Sequence, residues 1–170
     1  MLMHRFQYTK LTREQIDEEL GALFGGPECV SERSDVLAGK SMKIITDNGP
    51  VLAYSFRDIS RLSFSEDGKK TVECGYGALT LKHVVFFSHM IPGTQKGYNI
   101  VIDQKSGLAT VIEVWFCGYE DNREVQREIY FGYVDTGKSV PHERHHITNR
   151  ISGKGFHWVR QEVAFIYCWT

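Results

Sequence analysis

Ser41-Met42-Lys43-Ile44-Ile45-Thr46, then Asp47-Asn48-Gly49, then Val51-Leu52-Ala53-Tyr54-Ser55-Phe56-Arg57 is the stretch that decides the fold. Two short apolar runs flank a strong tight-turn signal, the pattern of a β-hairpin. The pattern repeats outward from there. Arg61 to Ser65, the turn Glu66-Asp67-Gly68 and Lys70 to Cys74 predict a second hairpin. Leu79 to Ile91 reads as one long apolar strand, Gly97 to Asp103 alternates, Lys105-Ser106-Gly107 turns the chain, and Leu108 to Cys117 returns. Gln126 to Val134, Gly155 to Arg160 and Val163 to Trp169 bring the total to roughly ten strands. Tight turns without long crossovers favour an up-and-down antiparallel barrel over a sandwich, so the predicted class is mainly β.

Upstream of these strands, LTREQIDEELGALF over residues 11 to 24 places Leu11, Ile16, Leu20 and Phe24 about one helical turn apart, with Thr12 as N-cap. Gly25-Gly26-Pro27 ends this amphipathic helix. The expected organisation is an N-terminal helix and linker over 1-36 and a single barrel over 37-170. Leu37-Ala38-Gly39-Lys40 is echoed by Ile151-Ser152-Gly153-Lys154, as a short repeat or as shared strand-entry chemistry. Too little chain follows the second copy for another core, so the last hairpin is expected to close the barrel.

The chain has 170 residues, 42% hydrophobic and 24% charged, the balance of one compact domain, which excludes disordered and collagen-like classes. Twenty basic against twenty-one acidic residues, with no basic cluster, argue against a nucleic-acid partner. Cys29, Cys74, Cys117 and Cys168 lie far apart. They signal neither a disulfide framework nor a zinc site, and free thiols fit a reducing compartment. No apolar run has signal-peptide length or the roughly 18 to 20 residues of a membrane helix. The expectation is a cytoplasmic protein without a membrane partner, with a homodimer left open.

The segment Leu37-Ala38-Gly39-Lys40-Ser41-Met42, the turn Asp47-Asn48-Gly49, and Val85-Phe86-Phe87-Ser88-His89-Met90-Ile91-Pro92-Gly93 followed by Asp103-Gln104-Lys105-Ser106-Gly107 resemble the MoaF-like proteins. They are more distantly similar to the bacterial phenolic acid decarboxylases. The resemblance covers about Leu37 to Cys117, and the last hairpin loosely. It implies a calycin-type barrel, a lipocalin-like cup. In the decarboxylases two tyrosines orient the substrate carboxylate and a glutamate handles a proton; the matching positions here are Ile44, Thr46 and Ile91, and a tryptophan position is His89. These side chains cannot exchange the same protons, so phenolic acid decarboxylation is not expected. The resemblance also implies a strand phase in which Met42, Ile44, Thr46, Val85, Phe87, His89 and Ile91 point inward, and alternation adds His83. Such a lining suits a small apolar or aromatic ligand.

Within that cup His89 is the candidate general acid or base, against the alternative of a hydrogen-bonded histidine filling space. Glu113, if inward, would be a carboxylate raised in pKa by desolvation and able to act as a base. Thr110, Ile112, Val114 and Phe116 form the cleaner apolar face, however, which favours an outward Glu113. Tyr130 completes the candidate catalytic set; it shares a face with Glu128, while Ile129, Phe131 and Tyr133 form the more core-like face. Ile44, Thr46, Phe87, Ile91, Trp158 and Arg160 are the candidate ligand-binding residues, Trp158 as a stacking wall and Arg160 as a hook for a carboxylate. His142-Glu143-Arg144-His145-His146 resembles a metal site in composition only and reads as a solvated loop. No phosphate loop or nucleophile elbow is present, and no cofactor or metal is expected. Two functions remain open: a cofactor-free lyase or isomerase acting on a small aromatic or carboxylated molecule, or a non-catalytic binding or carrier protein.

Overall fold

A computed structural model describes residues 33–117, 125–159 and 164–168. The helix expected over residues 11 to 24, the side chain of Trp158 and the whole of Arg160 lie outside the described parts. Ten strands are described: β1 Ser41–Thr46, β2 Leu52–Phe56, β3 Arg61–Glu66, β4 Val72–Leu81, β5 Val84–Met90, β6 Lys96–Asp103, β7 Leu108–Phe116, β8 Val125–Val134, β9 Gly155–Val159 and β10 Ala164–Cys168. The first eight pair antiparallel in chain order, and β8 returns to β1, giving a closed up-and-down barrel. Closure leaves no unpaired edge in that sheet.

Period-two alternation produces the core. On β2, Leu52, Tyr54 and Phe56 are buried while Ala53 and Ser55 are exposed; inward neighbours on β3, Leu62 and Phe64, are buried as well. Leu37, ahead of β1, is buried, and its turn is tied to the barrel where Gly39 N donates to Phe56 O and Phe56 N donates to Lys40 O, both at 2.8 Å. The sequence echo is a shared turn. Lys40 N donates to Leu37 O and Lys154 N to Ile151 O, each at 3.0 Å. Gly39 and Gly153 both take left-handed backbone, with φ of 73° and 72°, a conformation that glycine adopts without steric cost.

Four expectations are corrected. The last hairpin does not close the barrel: β9 and β10 form a two-stranded sheet of their own, outside the unit Glu32–Ile147 that carries the barrel, and β8 makes the seam with β1. The run from Leu79 to Ile91 is not one strand. It folds back at Lys82-His83, where Lys82 takes a φ of 56° and Leu81 pairs with Val84, so a turn forms without glycine, proline or asparagine to announce it. His83 consequently sits in a turn, half exposed and 3.9 Å from Asp103, rather than inside the cup. On β7 and β8 the phase is the reverse of the more apolar choice: Tyr98, buried on β6, pairs with Glu113, which pairs with Glu128, and Val111 pairs with Tyr130. Glu113, Glu128 and Tyr130 therefore lie on the inner face, with Ile112 and Ile129 outside.

Among the described residues no helix is long and apolar enough to cross a membrane.

Candidate functional site

The middle of the barrel is filled by rings. Tyr54 contacts Phe64 with centroids 5.3 Å apart, and Phe87 edge-on at 5.2 Å. His89 lies 4.8 Å from Phe64 and 5.7 Å from Tyr98. Edge-to-face and tilted pairs of this kind add to the area buried. His89 is 4% exposed; its Nε2 is 3.2 Å from the Tyr54 hydroxyl, and its buried Nδ1 has no hydrogen-bond partner. Burial, weakly offset by the Met90 backbone, lowers the imidazole pKa to about 4. At neutral pH the ring is uncharged and bonded to a phenol whose own pKa burial has raised. The interior of the expected cup is in this region a packed aromatic core, in which Ile44, Phe87 and His89 are inward and buried.

Toward the end of the barrel formed by the β1–β2 and β3–β4 hairpins, the lining becomes polar. Lys96 Nζ lies between two carboxylates, 3.0 Å from Glu66 Oε2 and 2.8 Å from Glu113 Oε1. The Tyr98 hydroxyl donates to Glu66 Oε2 at 2.8 Å, and Lys69 Nζ reaches Glu66 Oε1 at 2.9 Å. Partial burial alone would raise the Glu66 carboxyl, but the donors Lys69, Lys96 and Tyr98 outweigh it and bring the pKa to about 2. The Tyr130 hydroxyl donates to Glu128 and is 3.4 Å from Glu113 Oε2. Those carboxylates, Glu128 first, raise the Tyr130 phenol, and burial with Glu66 raises that of Tyr98, so both hydroxyls remain protonated at neutral pH.

Of the residues singled out in the sequence, the structure brings Glu113 and Tyr130 together at this end and places His89 in the ring cluster below. Ile91 is half-buried against the core. Thr46 is inward and buried, but its Oγ1 donates to Pro50 O at 3.0 Å. Glu66, Lys96, Tyr98 and Tyr54 escaped the sequence reading. In the sequence Glu66 reads as part of a turn, and Lys96 precedes the strand predicted from Gly97; alternation with Tyr98, two residues on, is the available signal for Lys96.

This set offers a carboxylate able to accept a proton beside phenols able to supply one, with an ammonium fixing the carboxylate's orientation. Of the metal-like run, Arg144 and His145 turn back to the barrel: Arg144 Nε is 3.0 Å from Asp47 Oδ2, and His145 Nδ1 is 2.8 Å from Thr110 Oγ1. Neither the scan against protein-family models nor the search of curated proteins returns a match for this chain.

Proposed function

We propose that the barrel binds a small, largely apolar or aromatic molecule at its polar end and moves a proton on it without a cofactor, as a lyase or isomerase does. The observation that carries this reading is the inward triad of Glu113, Lys96 and Tyr130, at 2.8 Å and 3.4 Å around one carboxylate. In this role Glu113 is the base and Tyr130 the proton donor. Glu66, Glu113 and Glu128 stand against Lys96, whose ammonium is shared by Glu66 and Glu113. The lysines that reach this lining, Lys96 and Lys69, are already engaged by carboxylates, so the lining favours a neutral ligand that brings hydrogen-bond donors. The resemblance to the MoaF-like family supports a ligand-binding cup by analogy, since one barrel serves many functions.

Mass spectrometry of small molecules released from natively purified protein is the test. The released molecule, returned to the protein, is expected to be converted to an isomer or a smaller product. Glu113→Gln should still bind it while slowing the conversion by about 10²- to 10⁴-fold, the usual worth of a positioned base. A molecule held and returned unchanged by the wild-type protein would make the barrel a carrier.

A further inference from the structure

We propose that Arg144 is a positioning residue: from outside the barrel it clamps the 47–50 turn against the ring of Tyr130, and so holds the Tyr130 hydroxyl on Glu113 and Glu128. The inference rests on the reading of Tyr130 as proton donor, but its geometry stands independently. After β8 the chain runs back along the outer wall as a strap, Asp135 to Ile147, within the same compact unit as the barrel. Arg144 is where that strap is anchored most densely. Its Nε lies 3.1 Å and 3.0 Å from the two Asp47 carboxylate oxygens. Nη1 donates to the carbonyls of Pro141 and Glu143, and the guanidinium lies 4.9 Å over the Tyr133 ring. A planar fork engaged in this way loses less entropy per bond than a lysine would.

The other side of the same turn faces the site. Gly49 has no positive φ, so backbone freedom does not explain the glycine there. Space does: a Cβ at position 49 would fall 2.4 Å from Tyr130 Cδ1 and 2.6 Å from Cγ. The turn therefore lies directly on the ring, and the Thr46 Oγ1 bond to Pro50 O, at 3.0 Å, braces it from within. Asp47 N also donates to Phe131 O at 3.0 Å, so the turn grows from the β1–β8 seam next to Tyr130 itself. Pulling Asp47 outward, or releasing it, changes the pressure on one face of the phenol.

The experiment is NMR of the tyrosine rings in the full chain at neutral pH, with the Tyr130 signal identified by its loss in Tyr130→Phe. In Arg144→Gln the Tyr130 ring signal is expected to shift or broaden, as the Glu128 and Glu113 contacts loosen. Tyr54 and Tyr98 signals should stay in place. Arg144→Lys should show less of this displacement than Arg144→Gln, Asp47→Asn should reproduce it, and the double variant should be no worse than either single change. An unmoved Tyr130 in Arg144→Gln, or losses from the two changes that simply add, would overturn the clamp. A displaced Tyr130 with undiminished conversion of ligand would uphold the clamp and sink the role of Tyr130 as proton donor, so the two readings fail separately.

Discussion

Gly132→Ala is expected to destabilise the barrel by about 3 kcal/mol or more, at the upper end of what overpacking costs. Gly132 lies on β8 opposite Thr46 of β1, on the seam that closes the sheet. A Cβ there would be 2.1 Å from Ile45 O and 2.8 Å from Thr46 Cα. Both atoms belong to backbone, so no side chain can swing aside; the seam itself must part. Every β1–β8 bond depends on that approach, and a parted seam exposes two strand edges at once. Gly75, on β4, is the control. Its φ is not positive, and an added Cβ would meet only Ser60 O at 3.9 Å, so Gly75→Ala should be neutral or stabilising by less than about 1 kcal/mol. Urea unfolding of both variants reads the difference. Equal midpoints for Gly132→Ala and the wild-type protein would mean that the seam is not where the barrel is held.

The parts of this fold legible in the sequence are those where alternation and turn chemistry agree. Leu52, Tyr54 and Phe56 alternate cleanly with exposed residues. Asp67 and Gly68 take left-handed backbone, with φ of 51° and 70°, as their turn signal demands. Two conditions hid the rest. Where both faces of a strand carry apolar residues, hydrophobicity does not choose the phase. On β7, Ile112 and Val114 outbid Glu113, yet Glu113 is inside because Lys96 on the neighbouring strand neutralises it, and that partner lies 17 residues earlier in the chain. The turn at Lys82-His83 was hidden for a different reason: lysine can occupy the left-handed region at modest cost when strand pairing on both sides pays for it. The polar end was missed for the same nonlocal reason as Glu113. Glu66, Lys96 and Tyr98 become a site only when β3 and β6 face each other across the interior, and no local period records that.

Lowering the pH from 7 to 5 is expected to remove about 2 kcal/mol of stability through His89 alone, well before most carboxylates titrate. The imidazole has a pKa of about 4 in the folded chain against 6.5 when free, because burial among Phe64, Tyr54 and Tyr98 disfavours its charged form. The depressed folded value fixes the sign. Above pH 6.5 both states are neutral and the contribution is full; as pH falls, the unfolded chain takes up a proton that the folded one refuses, and stability declines until the folded ring titrates near pH 4. Glu66, held at about 2, adds its own loss only below pH 4.5, so the two groups separate along the pH axis. His89→Phe removes the titrating ring and leaves a shape that the aromatic cluster can accept, while freeing the Tyr54 hydroxyl of its partner. Its stability at pH 7 should therefore drop by about 1 to 3 kcal/mol for the orphaned hydroxyl, and between pH 7 and 5 it should be nearly flat. Denaturant unfolding at a series of pH values distinguishes the cases: a His89→Phe profile as steep as that of the wild-type protein would mean that another group carries the acid limb, and that His89 is not the buried neutral base its surroundings make it.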